Sequence, residues 1–219
     1  MEVKGLKKYF EIRKGFLNKI VGYNKSVNDV EFTIKKGETV GLVGESGSGK
    51  TTLGRCIVRL YDSTAGSIKF NVNGKMTELT NLSTKEMKTI RKNFQMLFQD
   101  VYSSLDTRMK ISKIVTEPLD IHNIGTRKDR IDRAKELMLK VGLSDADLEK
   151  YPHQFSGGQR QRIGITRALS INPEFIICDE PVSALDVSVQ AQILNLLVDL
   201  KNEFNLSLIH ISEPTRHVD

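Results

Sequence analysis

Residues 44–51 read GESGSGKT. The spacing is GxxxxGK[ST], and it falls between an apolar run, Thr39–Val43, and a stretch that reads as a helix from about Lys50. Glycines in such a loop let the backbone curl until its N–H groups converge on an anion, and the following helix adds its positive N-terminal end. Lys50 is then placed to reach the β- and γ-phosphates of a nucleotide, and Thr51 to offer a hydroxyl to Mg²⁺. The candidate phosphate site is Gly44, Glu45, Ser46, Gly47, Ser48, Gly49, Lys50, Thr51 and Thr52.

Hydrolysis at such a site also needs a metal holder and a base. The stretch FIICDE, residues 175–180, supplies two carboxylates at the end of an apolar strand. Asp179 is placed to bind Mg²⁺ directly or through water, and Glu180 at the strand's tip to orient and deprotonate an attacking water. Many strands end in an acidic turn, so these two acids gain weight from sharing a chain with the glycine loop. A second glycine-rich turn, QFSGGQRQRIGITRAL, places Ser156, Gly157 and Gly158 at the start of a helix, a further potential anion cradle.

The elements that must hold these groups follow from hydrophobic period. Val27, Val30, Phe32 and Ile34 alternate as a strand, then Lys35–Glu38 turns into the apolar strand Thr39–Val43. GSIKFNVNG and FQMLF read as strands, and Ser83 with Glu86 forms a capping box that opens a helix. From about Ile111 to Leu169 the pattern is helical, with Ile131, Ala134, Leu137, Met138 and Val141 on one face. FIICDE is apolar enough for a parallel strand covered on both sides, and Ile193, Leu196, Leu197, Leu200 and Phe204 stripe a final amphipathic helix. Strand–loop–helix units with a helical insert predict an α/β core around a parallel sheet.

Bulk properties bound the function. With 33 basic and 27 acidic residues the net charge is +6. That suits a protein handling nucleotides or lying near an anionic surface, and is too dispersed to indicate nucleic acid. Cys56 and Cys178 are far apart and read as buried, reduced thiols. The N-terminus MEVKGLKKYF lacks the apolar core of a signal peptide, and no apolar run approaches the ~20 residues of a membrane-spanning helix. His122 and His153 read as surface or turn residues; Met87, Met96, Met109 and Met138 read as core filling.

Taken in order, the motifs resemble those of ABC transporter ATPases, over about residues 3–204. Phe155–Gln159 resembles the family signature LSGGQ, with Phe155 in place of leucine. Gln99 in MLFQD matches the Q-loop glutamine, Ser183–Asp186 (SALD) the D-loop, and Tyr9 the aromatic that stacks on adenine; Tyr23 is a weaker match. Stretches such as YPHQFSGGQRQRIGITRAL and DEPVSALDVSVQAQILNLL are similar to the ATP-binding subunits of dipeptide and oligopeptide importers. That branch usually carries QDPYxSLNPRM where this chain has QDVYSSLDTRM, so Val101, Asp106 and Thr107 depart from it.

The resemblance implies a P-loop NTPase (RecA-like) α/β core with a parallel sheet, an N-terminal antiparallel β subdomain and an inserted helical subdomain at about 100–165. It implies ATP and Mg²⁺ as ligands. Lys50, Gln99 and Glu180 would be catalytic; Thr51, Gln99 and Asp179 would face the metal. Ser156, Gly157, Gly158, Gln159 and Asp186 would face nucleotide across a contact with a second ATPase subunit. Further partners would be transmembrane permease subunits and, indirectly, an extracytoplasmic substrate-binding protein, with the ATPase peripheral on the cytoplasmic face of the membrane and no nucleic acid bound. The alternatives are an importer ATPase for another cargo (metal, sugar, glutathione) or a hydrolysis-deficient ATP-binding fragment.

The last residues raise a separate expectation. Leu206–Ser212 reads as a strand, but Glu213 stands where the family carries its H-loop histidine, and His210 comes three positions early. LSLIHISEPTR resembles a translated sequencing-adapter read-through. The expectation is an incomplete ATPase domain over 1–204 and a non-native tail over 205–219, leaving the chain without a core strand and without that histidine.

Overall fold

The two strands flanking the Lys35–Glu38 turn do not pair with each other; they enter different sheets. The computed structural model describes residues 1–16, 18–100 and 104–213. Strands β1 (Glu2–Lys14), β2 (Lys19–Thr33), β4 (Ala65–Val72) and β5 (Lys75–Glu78) form an antiparallel sheet in the order β2-β1-β4-β5. Strands β3 (Thr39–Val43), β6 (Phe94–Leu97), β7 (Phe175–Asp179) and β8 (Ser207–Ser212) form a parallel sheet in the order β3-β8-β7-β6. Helices α1 (Lys50–Ile57) and α2 (Thr84–Ile90) follow β3 and β5; α2 opens on the reciprocal Ser83–Glu86 capping box that its sequence predicts. Helices α3 (Ile111–Ile121), α4 (Arg127–Lys140) and α5 (Gly157–Leu169) make up the helical insert, and α6 (Val187–Phe204) leads into β8.

The parallel sheet divides the core in two because successive side chains on a strand face opposite ways. Phe175 and Ile177 of β7 join Ile209 and Ile211 of β8 in a cluster with α1 and the antiparallel sheet. Ile176 and Cys178 join Leu208 in a second cluster with Ile163 of α5 and Ile193 and Leu197 of α6. All five residues of β7 are buried, as a strand covered on both faces requires. Burial pushes the thiols up, Cys56 to about 11 and Cys178 to about 12. The four methionines pack in or against the two clusters.

One expectation needs correction. The chain does not lack its core strand: β8 lies between β3 and β7, pairing Val40 with Ile209 and Ile177 with Ile209 on its two sides. The physical reason is the apolar run Leu206, Leu208, Ile209 and Ile211, all buried, which fits a central parallel strand whatever its origin. The departure at Val101 and the stretch from Pro214 onward lie outside the described residues. At Asp106, the carboxylate forks onto Arg108, which holds it below its ordinary value.

Candidate nucleotide site

The phosphate loop joins the end of β3 to the start of α1. Gly47 and Gly49 sit in the left-handed region, at φ 78° and 96°, where a side chain is strained. At Gly49 a Cβ would also lie 1.9 Å from the Ser26 carbonyl oxygen, because β2 passes directly against the loop. Lys50 is only 8% exposed, and its ammonium donates to the carbonyls of Gly44 (2.6 Å) and Glu45 (2.8 Å). A buried cation held by carbonyl dipoles rather than a carboxylate is matched to an anion arriving at the loop.

The strands bring the carboxylates to the same place. The Thr51 hydroxyl donates to Asp179 Oδ1 at 2.8 Å, across from α1 to the end of β7, and Asp179 is 2% exposed. Glu180 turns the chain at φ 46°, and its N–H donates to the Ile211 carbonyl of β8. Its carboxylate accepts from Gln99 Nε2 at 2.6 Å. Lys50, Thr51, Gln99 and Glu180 line a cavity of about 210 Å³ with Ser26, Ser46, Gly47, Gly49, Thr52 and Glu213, and Asp179 lies buried behind Thr51. A hydroxyl, a buried carboxylate and an amide oxygen are hard donors of the kind Mg²⁺ takes. Among the described residues no group of three His, Cys, Asp or Glu side chains could hold a metal alone.

The second glycine turn is built differently. Ser156 caps α5: its Oγ accepts from the Gln159 N–H, and Gln159 Oε1 accepts from the Ser156 N–H, a reciprocal capping box. A Cβ at Gly157 would meet Leu185 at 3.2 Å, and one at Gly158 would meet Val189 at 2.6 Å. These glycines thus allow close packing of α5 against the SALD turn and the start of α6. Ser156, Gly157 and Gln159 are exposed, and Asp186 is exposed at the N-cap of α6. None of the four residues 156–159, nor Asp186, lines the phosphate cavity of its own chain.

Of the two tyrosines, Tyr9 is nearer the loop. It pairs with Lys25, next to Ser26, whereas Tyr23 pairs with Glu11 further out. The Tyr9 hydroxyl donates to Asn28 Oδ1 at 2.6 Å, and the Lys25 ammonium lies 5.6 Å from its ring centre. Ser26 is a site residue that no motif indicates; its contact with Gly49 follows from how the two sheets meet. His153 is exposed and stacked on Tyr151, and His122 ends α3 half-buried. His210 pairs with Cys178 and Gly41 inside the parallel sheet, away from the cavity, and burial lowers its pKa.

Comparison with known proteins gives the same reading. The family described as ABC transporter matches residues 27–183. The chain is 50% identical to the oligopeptide transport ATP-binding protein AppF of Bacillus subtilis (strain 168), over 100% of this chain and 66% of that protein. It is 48% identical to the oligopeptide transport ATP-binding protein OppF of the same organism, over 97% of this chain and 67% of that one. It thus spans about two thirds of the length of these curated relatives. It superposes on the dimeric structure of MJ0796, a bacterial ABC transporter cassette, with a TM-score of 0.82 at 28% identity, covering 96% of this chain and 87% of the other. A post-hydrolysis dimer of the same cassette bound to ADP and Pi gives 0.81. On the strength of the matched region, which includes the phosphate loop, Gln99, the Ser156 turn and the Asp179–Glu180 strand end, the chain belongs to the ABC transporter family.

Proposed function

We propose that the chain is the ATP-binding and ATP-hydrolysing motor subunit of an importer whose cargo is di- or oligopeptides. The observation that best supports this is the convergence of Lys50, Thr51 and the Gln99–Glu180 pair on one cavity, with Asp179 bonded to Thr51 behind it. Lys50 transfers its ammonium contacts from loop carbonyls to the β- and γ-phosphate oxygens. Thr51, Asp179 and Gln99 would hold Mg²⁺, which when bound would neutralise charge at those oxygens. Glu180 takes the proton of the attacking water, and Gln99 orients the Glu180 carboxylate before nucleotide arrives. Tyr9 presents its ring to the adenine.

The exposed Ser156–Gln159 turn serves a second subunit. Its helix N-terminus and N–H groups face the γ-phosphate bound by the partner's loop, and Asp186 lies at the same contact. Closure and opening of the two subunits drive transmembrane permease subunits between inward- and outward-facing states, from the cytoplasmic face, with a substrate-binding protein delivering peptide outside. In this reading the ATPase unit takes in residues 1–204 together with β8, which lies in its parallel sheet, and has its helical subdomain at about 100–165.

The test is phosphate release by the assembled complex. Glu180→Gln retains ATP binding and loses turnover; turnover at the parent rate removes Glu180 as the base. Uptake of labelled oligopeptide by cells carrying the complex, against a metal, a sugar or glutathione, settles the cargo. A second reading rests on Glu213, whose residue lines the phosphate cavity where the family has a histidine. A carboxylate there repels the γ-phosphate, giving a subunit that binds nucleotide without hydrolysing it. Glu213→His raising phosphate release supports that reading; no change counts against it.

A further inference from the structure

Strand β1 pairs with β4 only as far as Lys7, yet it continues paired with β2 to Lys14. Beyond the Phe10–Tyr61 edge contact, residues 11–14 and 19–23 therefore leave the body of the protein as a two-stranded ribbon. Four residues past Phe10, at about 3.3 Å each, carry its tip roughly 13 Å outward. Among the described residues, the hydrogen bonds and ion pairs of this part stay within the ribbon, as in Arg13 to Glu11 and Asn18 to Gly15.

Its composition is unusual for a solvated hairpin. Ile12, Ile20, Val21 and Tyr23 are 43 to 56% exposed, and Phe16 at the turn is fully exposed. Between Ile12 and Lys25 the chain carries Arg13, Lys14, Lys19 and Lys25 and no acidic residue. Lys14 and Lys19 face each other across the ladder and have no ion-pair partner among the described residues. Lysines alone could serve to protect an edge strand from pairing with other chains. That explains the charge and leaves the apolar side chains unexplained, since a protected edge is polar on its open faces. Cations with long apolar stems beside exposed aliphatic and aromatic groups match an anionic lipid interface, where the stems and rings enter the headgroup layer and the charges meet lipid phosphates.

We infer that the β1–β2 ribbon is a membrane-surface anchor that docks on anionic phospholipid through Phe16, Ile20 and Val21 flanked by Lys14 and Lys19. The protein has no tryptophan, so Phe16→Trp creates a single fluorescent reporter at the tip. The chain carrying it is titrated with vesicles of phosphatidylcholine alone and with a third of phosphatidylglycerol, with ATP binding as the control for folding. The expected result is a blue shift with the anionic vesicles, absent with phosphatidylcholine and reversed by high salt. Adding Lys14→Glu and Lys19→Glu lowers vesicle affinity at least about tenfold, with ATP binding unchanged. Equal emission with and without anionic vesicles, or equal affinity after charge reversal, overturns the inference. A shift seen only when permease subunits are present in the vesicles also overturns it, by assigning the ribbon to a protein contact.

Discussion

The chain opens two helices with glycine-rich turns, and they use glycine for different reasons. In the phosphate loop, Gly47 and Gly49 need left-handed backbone, and Gly49 lies against the Ser26 carbonyl. In the Ser156 turn, no glycine has positive φ; Gly157 and Gly158 make room for Leu185 and Val189. The first turn is a cradle completed within the chain, with a buried lysine and carboxylates on hand. The second is a capped helix end left exposed, away from the cavity of its own chain. Glycine at a helix start thus serves backbone conformation in one turn and close packing in the other, and the groups the fold places opposite it set the two apart.

The largest expected effect separates the two turns by chemistry. Glu180→Gln lowers phosphate release by the assembled complex about 10²–10⁴-fold, the range for loss of a general base, while nucleotide affinity is kept. Next, Ser156→Arg abolishes turnover in the complex yet leaves ATP binding by the isolated chain intact, checked with a fluorescent nucleotide. A loss of binding in the isolated chain would mean that the turn contributes to its own chain's site.

The glycines give a finer contrast. Gly49→Ala is expected to cost more than about 2 kcal/mol, because strained backbone and a backbone carbonyl cannot both give way. Gly158→Ala is expected to cost about 1–3 kcal/mol, since the obstacle is a Val189 side chain that can shift. Urea midpoints of the two variants test the order. Equal losses would erase the distinction between conformation and packing.

The smallest effect concerns pH. Burial holds the His210 pKa below its ordinary 6.5, so the unfolded chain takes up a proton that the folded chain resists. Stability from this residue is complete above pH 6.5 and falls as pH drops below that value toward the lowered one. His210→Phe should flatten the dependence of the urea midpoint below pH 6.5, and an unchanged slope there would exclude His210 as its source.

Sequence reading recovers the local parts well. The phosphate loop, the Asp179–Glu180 strand end, the Ser83 and Ser156 caps and the α4 and α6 stripes all rest on contacts a few residues apart, which periodicity and spacing encode. What escapes is long-range. The contact of Ser26 with Gly49 depends on how two sheets meet, and the Gln99–Glu180 bond spans 81 positions. The β1–β2 ribbon escapes the sequence beyond the alternation of Val27 to Ile34, because its length comes from pairing rather than from any periodic signal. At β8 the local pattern is a sound guide: its apolar run marks a buried strand, whereas the resemblance of LSLIHISEPTR to an adapter read-through points to a missing one.

In the proposed mechanism a working site needs the phosphate loop of one chain and the Ser156 turn of another. Sedimentation of Glu180→Gln with ATP and Mg²⁺, alone and combined with Ser156→Arg, tests it most directly. The account predicts ATP-dependent dimers for the single variant and ATP-bound monomers for the double one. Dimers of equal stability in both, or ATP-bound monomers in both, would contradict it.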